Sequence, residues 1–253
     1  MFKRLYFSQL LDFILIFFAD WRGVLWPFVL FYGIIMPTGI MWLLRTASGG
    51  HISYRTAVYY ITGSLITSFV FSAVSHVLTR IGYARQQKQL DFWASLPVPK
   101  IILITALFLV SLTVAAPGVA GVMIAAYLIL NITFHLTIGA LLALFLGAMT
   151  MASIAAVLGV LAPDAPSTNL ISNATAVITM FVAPVYIPLD QLPQPLRYLA
   201  YILPPTYVAQ ALRSAMLDQQ ASLGIYLAVL VVMVIVSFTL VHFKLDWRSN
   251  TPS

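Results

Sequence analysis

The stretch "IILITALFLVSLTVAAPGVAGVMIAAYLIL", residues 101–130, contains no Asp, Glu, Lys or Arg. The uncharged run continues to Ala162, and as a single helix it would be about 93 Å long at 1.5 Å per residue. The hydrocarbon core of a bilayer is only about 30 Å thick, so the run must turn back within itself. The stretch "NITFHLT", residues 131–137, predicts that turn. The sequence therefore predicts two membrane spans here, at 101–130 and 136–161.

The composition of the chain places the whole protein in a membrane. Of its 253 residues, 61% are hydrophobic and 8% are charged, whereas soluble domains carry about 25% charged residues. The net charge of +6 comes from scattered Lys and Arg residues, and no dense basic cluster is present to follow a phosphate backbone. Cysteine is absent, which excludes disulfides and Cys-ligated metals. The sequence predicts an all-α integral membrane protein that binds no nucleic acid.

Four further apolar stretches of suitable length predict spans at 23–44, 57–79, 168–187 and 222–243, six in total. An even number of spans places both termini on the same side. The basic residues assign that side by the positive-inside rule, since the segments on the side of the termini hold nine of them and the other segments hold Arg45, Arg55, Arg197 and Arg213. We expect a multi-pass membrane protein with cytoplasmic termini. The segments on the side of the termini hold Lys3, Arg4, Arg22, Arg80, Arg85, Lys88, Lys100, Lys244 and Arg248.

The first 22 residues form a separate element in this interpretation. Arg4, Ser8 and Asp12 recur every four residues and Asp20 continues the line, which gives a narrow polar stripe on an apolar helix. That pattern is typical of a helix lying in the membrane interface. The alternative is a frayed first turn of the first span.

The chain offers little chemistry of its own. A phosphate-binding P-loop needs a Lys directly after Gly, and none of the four lysines follows a glycine. Ion-coupled transporters usually bury acids within their spans, whereas every Asp here falls in a loop, at a span boundary or in the N-terminal helix. His76 and His135 have no second ligand at metal-binding spacing, so ordinary packed or interfacial histidines are the favoured interpretation. We expect no catalytic residue, no metal site and no cofactor in this chain.

The stretch "VYIPLDQLPQPLRYLAYILPPTYVAQALRSAML", residues 185–217, is too polar for a span and too apolar for a free loop. Such a segment can lie at membrane depth only if protein covers it or if it lines a cavity, so the sequence predicts re-entrant helices over 188–217. The stretch resembles the permease subunits of ABC type-2 exporters, which have a Pro, a Leu-Pro pair, a Pro-x-Thr-Tyr and an Ala-x-Arg after their fifth span. The matching residues here are Pro188, Leu192, Pro193, Pro204, Thr206, Tyr207, Ala211 and Arg213. Leu203 stands where the family often has Asn before the motif proline.

The resemblance implies a role for "ARQQKQLDFWASLPVPK", residues 84–100, in the predicted cytoplasmic loop. In this family that loop carries a coupling helix, which docks on a separate ATP-hydrolysing subunit. Here the helix would cover 83–95 and end before Pro97 and Pro99. The alternative is a solvated loop whose Trp93 anchors in the head groups. The docking residues implied by the resemblance are Gln86, Gln87, Gln89, Leu90, Asp91, Phe92 and Trp93.

Hydroxyl residues recur along one helical face of the second and fifth spans. The resemblance places those two spans at the axis of a permease dimer, beside the substrate path. Close helix packing also favours small and hydroxyl residues, and both explanations stay open from the sequence. The candidate path residues are Ser64, Ser68, Ser72 and Ser75 of the second span, with Thr79 at its end, and Thr168, Ser172, Thr175 and Thr179 of the fifth.

Together these patterns favour a single ABC type-2 transmembrane domain over 1–253. The resemblance implies a permease in a prokaryotic plasma (inner) membrane that exports an amphipathic substrate such as a drug, lipid, glycolipid or polysaccharide. Its partners would be an ATPase subunit that binds ATP and Mg, a second copy or a sister permease, and membrane lipid. A stand-alone channel or secondary carrier is the alternative function, and a membrane-embedded scaffold is a more distant one.

Overall fold

The computed structural model of the protein describes residues 2–21, 29–50, 52–95, 98–132, 137–183 and 185–244. Within these ranges the chain forms helices, turns and loops without a strand, which confirms the predicted all-α fold. We number the helices in chain order. They are α1 (Phe2–Trp21), α2 (π-helical over Val29–Ile35 and α-helical over Met36–Ala47), α3 (Tyr54–Phe69, a π-helical stretch Val70–Val74, then Ser75–Gln86), α4 (Gln89–Ser95), α5 (Lys100–Leu130), α6 (Ile138–Leu161), α7 (Ala165–Val182), α8 (Gln194–Ala200), α9 (Pro204–Met216) and α10 (Gln220–Lys244).

Local capping explains where several of these helices begin. Ser53, Thr137 and Asp164 each precede a helix in extended backbone, and each side chain accepts a hydrogen bond from a backbone N–H three residues on. Such caps satisfy donors that the first turn of a helix leaves open. Near the middle of the uncharged run, Asn131 closes α5 in the left-handed conformation with φ 53°, which Asn tolerates better than most residues. The turn therefore lies within the stretch predicted for it, although residues 133–136 are outside the described ranges.

Three of the described helices are long and apolar enough to cross a membrane: Ile104–Leu130, Ile138–Leu161 and Gln220–Val241. Helix α6 lies at the centre and packs against α3, α9 and α10. Its buried face consists largely of Ala and Gly, and a Cβ added at Gly147 or Gly159 would meet Val208 of α9 or Ile81 of α3. Small residues let helix backbones approach closely where no hydrophobic effect drives them together. The core is thus built on close helix contact.

The remaining helices surround this centre. Helix α2 packs between α3 and α5, and α7 packs on the second half of α3. Helix α1 packs against α5 and buries Phe13 and Phe17, while Ser8 and Asp12 are exposed. Two ends of the bundle can now be defined by their helices. The α4 end holds α4 and the α6–α7 turn, and the α9 end holds α8, α9 and the turn between α2 and α3.

Candidate functional site

An arginine in contact with two aromatic rings connects three helices at the α4 end. The guanidinium of Arg80, on α3, lies 5.1 Å from the ring centroid of Phe17 and 5.5 Å from that of Trp93. The two rings meet edge to face at 5.5 Å. Arg80, Phe17 and Trp93 are all buried, so this contact ties α1 and α4 to the end of α3. We call these three residues the Arg80 clamp.

The segment predicted as one coupling helix over 83–95 is interrupted in the structure. Helix α3 continues as far as Gln86, and a new helix, α4, begins at Gln89. Between them Lys88 has a φ of 55°, a left-handed conformation that ends the first helix and changes the direction of the chain. Only Gln89–Ser95 therefore forms a helix separate from α3.

The predicted docking residues fall on different sides of this segment. Phe92 is 62% exposed, whereas Trp93 is 9% exposed and packs inside the chain in the Arg80 clamp. Gln86 and Gln87 are exposed, and Gln89 is half-buried and donates a hydrogen bond of 2.7 Å to the side-chain oxygen of Gln87. The helix includes Leu90 and Asp91, whose side chains lie outside the described part of the structure. Trp93 and Phe92 were predicted to share one docking surface, but in the structure Phe92 alone of the two is exposed.

The α6–α7 turn lies beside the end of α3 and is fixed to it by Arg85. One guanidinium nitrogen of Arg85 donates to the carbonyls of Val160, at 2.6 Å, and Ala162, at 2.8 Å. These carbonyls lie at the C-terminal end of α6, where a cation also interacts favourably with the helix dipole. Asp164 follows directly and caps α7 by accepting from Ser167 N at 2.8 Å.

Two serines of the predicted substrate path contact α2 in the structure. Ser64 donates to the carbonyl of Pro37 at 3.1 Å, and Ser68 donates to that of Gly33 at 2.7 Å. Both serines are fully buried. A Cβ added at Gly118 of α5 would collide with Ser68 Oγ and the Gly33 carbonyl. These contacts agree with the packing explanation for this half of the stripe.

The other half of the stripe brings the second and fifth spans together. Ser75 of α3 and Ser172 of α7 share a hydrogen bond of 2.8 Å. Thr168 lies so close to α3 that a Cβ added at Gly82 would overlap its side chain. Ser72 and Thr179 are buried as well, and Thr175 and Thr79 are half-buried. The stripes therefore meet each other within one chain, and their role in a substrate path stays a prediction.

A polar face on α7 was missed in the sequence. Asn169 and Asn173 are exposed and four residues apart, so they lie on the same face of the helix, with the exposed Val177 four residues further along it. An amide side chain facing lipid would lose its hydrogen bonds to water at considerable cost. The i, i+4 spacing was readable, but only the packing of α7 on α3 shows which of its faces stays uncovered.

A second buried arginine organises the α9 end. The guanidinium of Arg213, on α9, lies 3.9 Å from the ring centroid of Tyr59 on α3. It also donates to Thr62 Oγ1 at 3.2 Å and to the carbonyl of Val185. Arg213 thereby joins α3, α9 and the segment after α7. Charged groups are buried only with such partners.

The other motif residues support this arrangement. Thr206 donates to the carbonyl of Ala200 at 2.6 Å, and Tyr207 donates to that of Tyr201 at 2.8 Å. Both bonds reach back from the first turn of α9 to the end of α8, and Pro204 begins α9 at a position where proline needs no hydrogen-bond partner. The motif prolines Pro188 and Pro193 precede the 3₁₀ turn Leu189–Gln191 and α8, and Leu192 is buried between them. The motif thus shapes the connection between α8, which is largely exposed, and α9, which is largely buried.

An almost wholly apolar groove of about 550 Å³ lies between α5 and α6, lined by residues such as Leu112, Met123, Leu144 and Phe145. It offers no group that could orient a polar ligand. Across the described residues, no three His, Cys, Asp or Glu side chains meet as a metal site would require. His76 is buried in α3, and His135 falls outside the described ranges.

Comparison with known families assigns the chain. A family model described as "ABC-2 family transporter protein" matches residues 45–243, a range that holds α3 to α10 almost completely. The chain belongs to the ABC-2 transporter family. This confirms the resemblance found in the motif segment, and it makes the ABC-2 chain a multi-pass membrane subunit of an ABC transporter.

Membership also sets the general role of the ABC-2 chain. Members of the family are membrane subunits that are not normally catalytic themselves and that work with an ABC ATPase subunit. No curated protein matches the chain significantly. The substrate and the arrangement of the subunits must therefore be argued from the residues.

Proposed function

We propose that this ABC-2 chain is the permease subunit of an ATP-driven exporter that moves an amphipathic substrate and docks a separate ATPase subunit through α4. The main support for this proposal is that the neighbouring residues Phe92 and Trp93 face in different directions. Trp93 fixes α4 to α1 and α3 from within, and Phe92 projects 62% exposed from the same short helix. An exposed aromatic side chain on a rigidly held helix is suited to fill a pocket on a partner.

The surroundings of Phe92 support a protein partner. Gln86 and Gln87 are exposed beside α4 and provide amide donors and acceptors for a polar rim around an aromatic anchor. The partner ATPase would bind ATP and Mg, since this chain has no Gly-Lys-Ser/Thr sequence to do so. Movement of α4 would pass through Trp93 and Arg80 into α3.

The proposed arrangement in the membrane has six spans, formed by α2, α3, α5, α6, α7 and α10, with both termini and α4 in the cytoplasm of a prokaryotic cell. Helix α1 would lie in the interface, and α8 and α9 would form the re-entrant pair. The exposed Asn169 and Asn173 support placing α7 at a dimer axis beside a second copy or a sister permease. That face carries the two amides and, further along, Val177, a mixture that suits a drug, lipid or glycolipid.

Docking can be tested by co-purification of the tagged permease with its ATPase subunit. Truncation of a central aromatic anchor commonly costs about 2 kcal/mol or more, which is roughly thirtyfold in affinity. We expect Phe92→Ala to lose the ATPase subunit at concentrations where the wild type retains it. Tyr198→Ala is the matched control, because Tyr198 is an equally exposed aromatic residue at the α9 end. Unchanged retention by Phe92→Ala would remove the docking assignment.

The six-span arrangement has a separate test in this Cys-free chain. Single cysteines at Gln87, between α3 and α4, and Gln191, before α8, replace exposed residues at opposite ends of the bundle. In sealed cells we expect an impermeant thiol reagent to label the cysteine at position 191 alone. Labelling of both from outside would overturn the arrangement, whatever the outcome for docking.

A further inference from the structure

A cavity of about 440 Å³ lies at the α9 end, between the first turns of α3 and the segment that follows α7. That volume is within the usual range for small-molecule sites. The cavity has both polar and apolar walls, in contrast to the groove between α5 and α6. It is lined by Arg55, Thr56, Tyr59, Tyr60, Tyr186, Ile187, Pro188, Asp190 and Gln191.

Its three tyrosines are held in place from behind. The hydroxyl of Tyr60 shares a hydrogen bond of 2.8 Å with Ser48 Oγ, and that of Tyr186 shares one of 3.0 Å with Thr67 Oγ1. The ring of Tyr59 is fixed by the guanidinium of Arg213 at 3.9 Å. The aromatic walls are therefore already ordered before any ligand arrives, which lowers the entropy cost of binding.

The two walls of the cavity carry opposite charges. Arg55 and Tyr59 are four residues apart on α3 and share a helix face, so Arg55 and the Arg213 guanidinium behind Tyr59 make the α3 wall positive. The opposite wall carries Asp190, which is exposed. Arg197 holds that wall by donating to the backbone carbonyl of Asp190 at 2.6 Å, an interaction with the main chain rather than with the carboxylate.

We propose that this cavity binds a zwitterionic head group, with an anionic group against Arg55 on the α3 wall and a quaternary ammonium against Asp190 and Tyr186 on the opposite wall. Guanidinium groups form strong charge-assisted hydrogen bonds to phosphate and carboxylate oxygens, and aromatic faces attract quaternary ammonium ions. Tyr59 is the least suitable of the three rings for the ammonium, because Arg213 already lies over it. The anionic end of the ligand is thereby directed to the α3 wall.

Other ligand classes fit the cavity less well. A neutral sugar would leave the charges of both walls without partners, and a simple anion or cation would match one wall and be repelled by the other. The proposal goes beyond transport and docking, since the cavity lies at the end opposite α4 and binding needs no ATPase subunit.

The test uses the purified full chain in nanodiscs of phosphatidylglycerol, titrated calorimetrically with phosphocholine. Arg55→Gln and Asp190→Asn should each weaken phosphocholine binding about tenfold or more, because each removes a charged partner of the ligand. Both residues are exposed, so the fold should persist. Asp218→Asn is the matched control: Asp218 is also exposed but lies outside the cavity, and we expect unchanged binding.

Choline and inorganic phosphate, the two halves of phosphocholine, test the two walls of the cavity separately. Choline binding should fall in Asp190→Asn and not in Arg55→Gln, and inorganic phosphate binding should show the reverse pattern. This crossed pattern distinguishes a built site from partial unfolding, which would weaken both half-ligands in both variants. Absence of phosphocholine binding, or equal binding in Arg55→Gln, Asp190→Asn and Asp218→Asn, would overturn the proposal.

The natural source of the head group can be read from the same titration. If nanodiscs of phosphatidylcholine abolish the phosphocholine signal, a lipid of the surrounding bilayer occupies the site. If the signal is the same in both kinds of nanodisc, the ligand is a soluble zwitterion. Both results support the site, and they differ only in where its ligand comes from.

Discussion

The guanidinium of Arg80 lies 5.5 Å from the ring centroid of Trp93, and through this contact the end of α3 is joined to α4. Phe17 of α1 lies 5.1 Å from the same guanidinium and is also in contact with the ring of Trp93. A displacement of α4 must therefore either carry α1 and α3 with it or break these contacts. The clamp is the shortest described route from the proposed docking residue Phe92 to a long helix of the bundle.

We expect Arg80→Met to loosen this connection, because it removes the cation while keeping most of the apolar stem. A desolvated cation–π contact contributes about 1–2 kcal/mol, so thermal stability in detergent should fall. Spin labels at the exposed positions Leu15 and Ser95 should also report a broader distance distribution between α1 and α4.

Arg85→Met is the control for that measurement. Arg85 lies five residues further along α3, and it contacts the end of α6 rather than α1 or α4. The Arg85→Met substitution should lower thermal stability without broadening the distance distribution between the spin labels at positions 15 and 95. If both variants gave the same distribution as the wild type, Arg80 would be only a stabilising residue and not a connector.

The close contact of α5 with α2 and α3 predicts that alanine will have different effects on stability at two glycines. At Gly118 an added Cβ would overlap Ser68 Oγ and approach the carbonyl of Gly33 to 2.9 Å, and overpacking of this kind costs about 1–3 kcal/mol. At Gly39 an added Cβ meets nothing within 4 Å, so alanine there should be neutral or stabilising by up to about 1 kcal/mol. Thermal melts of Gly118→Ala and Gly39→Ala would check both. Equal melting temperatures would contradict the packing described for Ser68.

The polar face of α7 predicts access of water at Asn173. A cysteine at this position should react with a water-soluble maleimide about tenfold faster than one at a lipid-facing site, because a rise of one unit in a thiol pKa lowers the reactive thiolate fraction tenfold. Val232→Cys provides the comparison, since Val232 is 59% exposed among apolar neighbours on α10. Equally slow labelling of the two would place Asn173 against lipid and weaken the proposed path along α7.

Asp164 predicts a dependence of stability on acid pH. The hydroxyl and the backbone N–H of Ser167 hydrogen-bond to its carboxylate and lower its pKa from the usual 3.8. Since the pKa is lower in the folded state, the stabilisation is present above pH 3.8 and is lost as the pH falls through the folded value. Asp164→Asn keeps a capping oxygen but cannot titrate. Its melting temperature should therefore fall less between about pH 6 and about pH 3 than that of the wild type, and an equal fall would refute this assignment.

Much of the fold was predictable because apolar length and helix breakers are local properties. The uncharged run of 101–162 had to turn, and α5 ends at Leu130 and α6 begins at Ile138 on either side of the predicted turn. The start of α7 was readable in the same way, since Asp164 and the prolines around it mark a helix N-terminus. The motif segment identified the family before any contact was known.

The orientation of the aromatic residues in the docking segment could not be predicted from the sequence. Phe92 and Trp93 are neighbours in sequence, and which of them faces outward depends on the phase of a helix that begins after Lys88. Lys88 adopts the left-handed conformation at φ 55°, which a Gly or Asn would have signalled but a Lys does not. The position of Trp93 also depends on Phe17, more than seventy residues earlier in the chain. Contacts of this range leave no mark in a local pattern.

Residues 54–86 form one continuous helical axis, about 50 Å long at 1.5 Å per residue. The hydrocarbon core of a bilayer is about 30 Å thick, so when Tyr59 is level with one face of that core, the last two turns of the axis, from about Arg80 onward, extend into the head-group region at the other face. A continuous helix of this kind can transmit rotation about its axis as well as displacement along it. Rotation of the α4 end of this axis by a partner would turn Tyr59 relative to Arg213, and the shape of the cavity beside Tyr59 would change with that rotation.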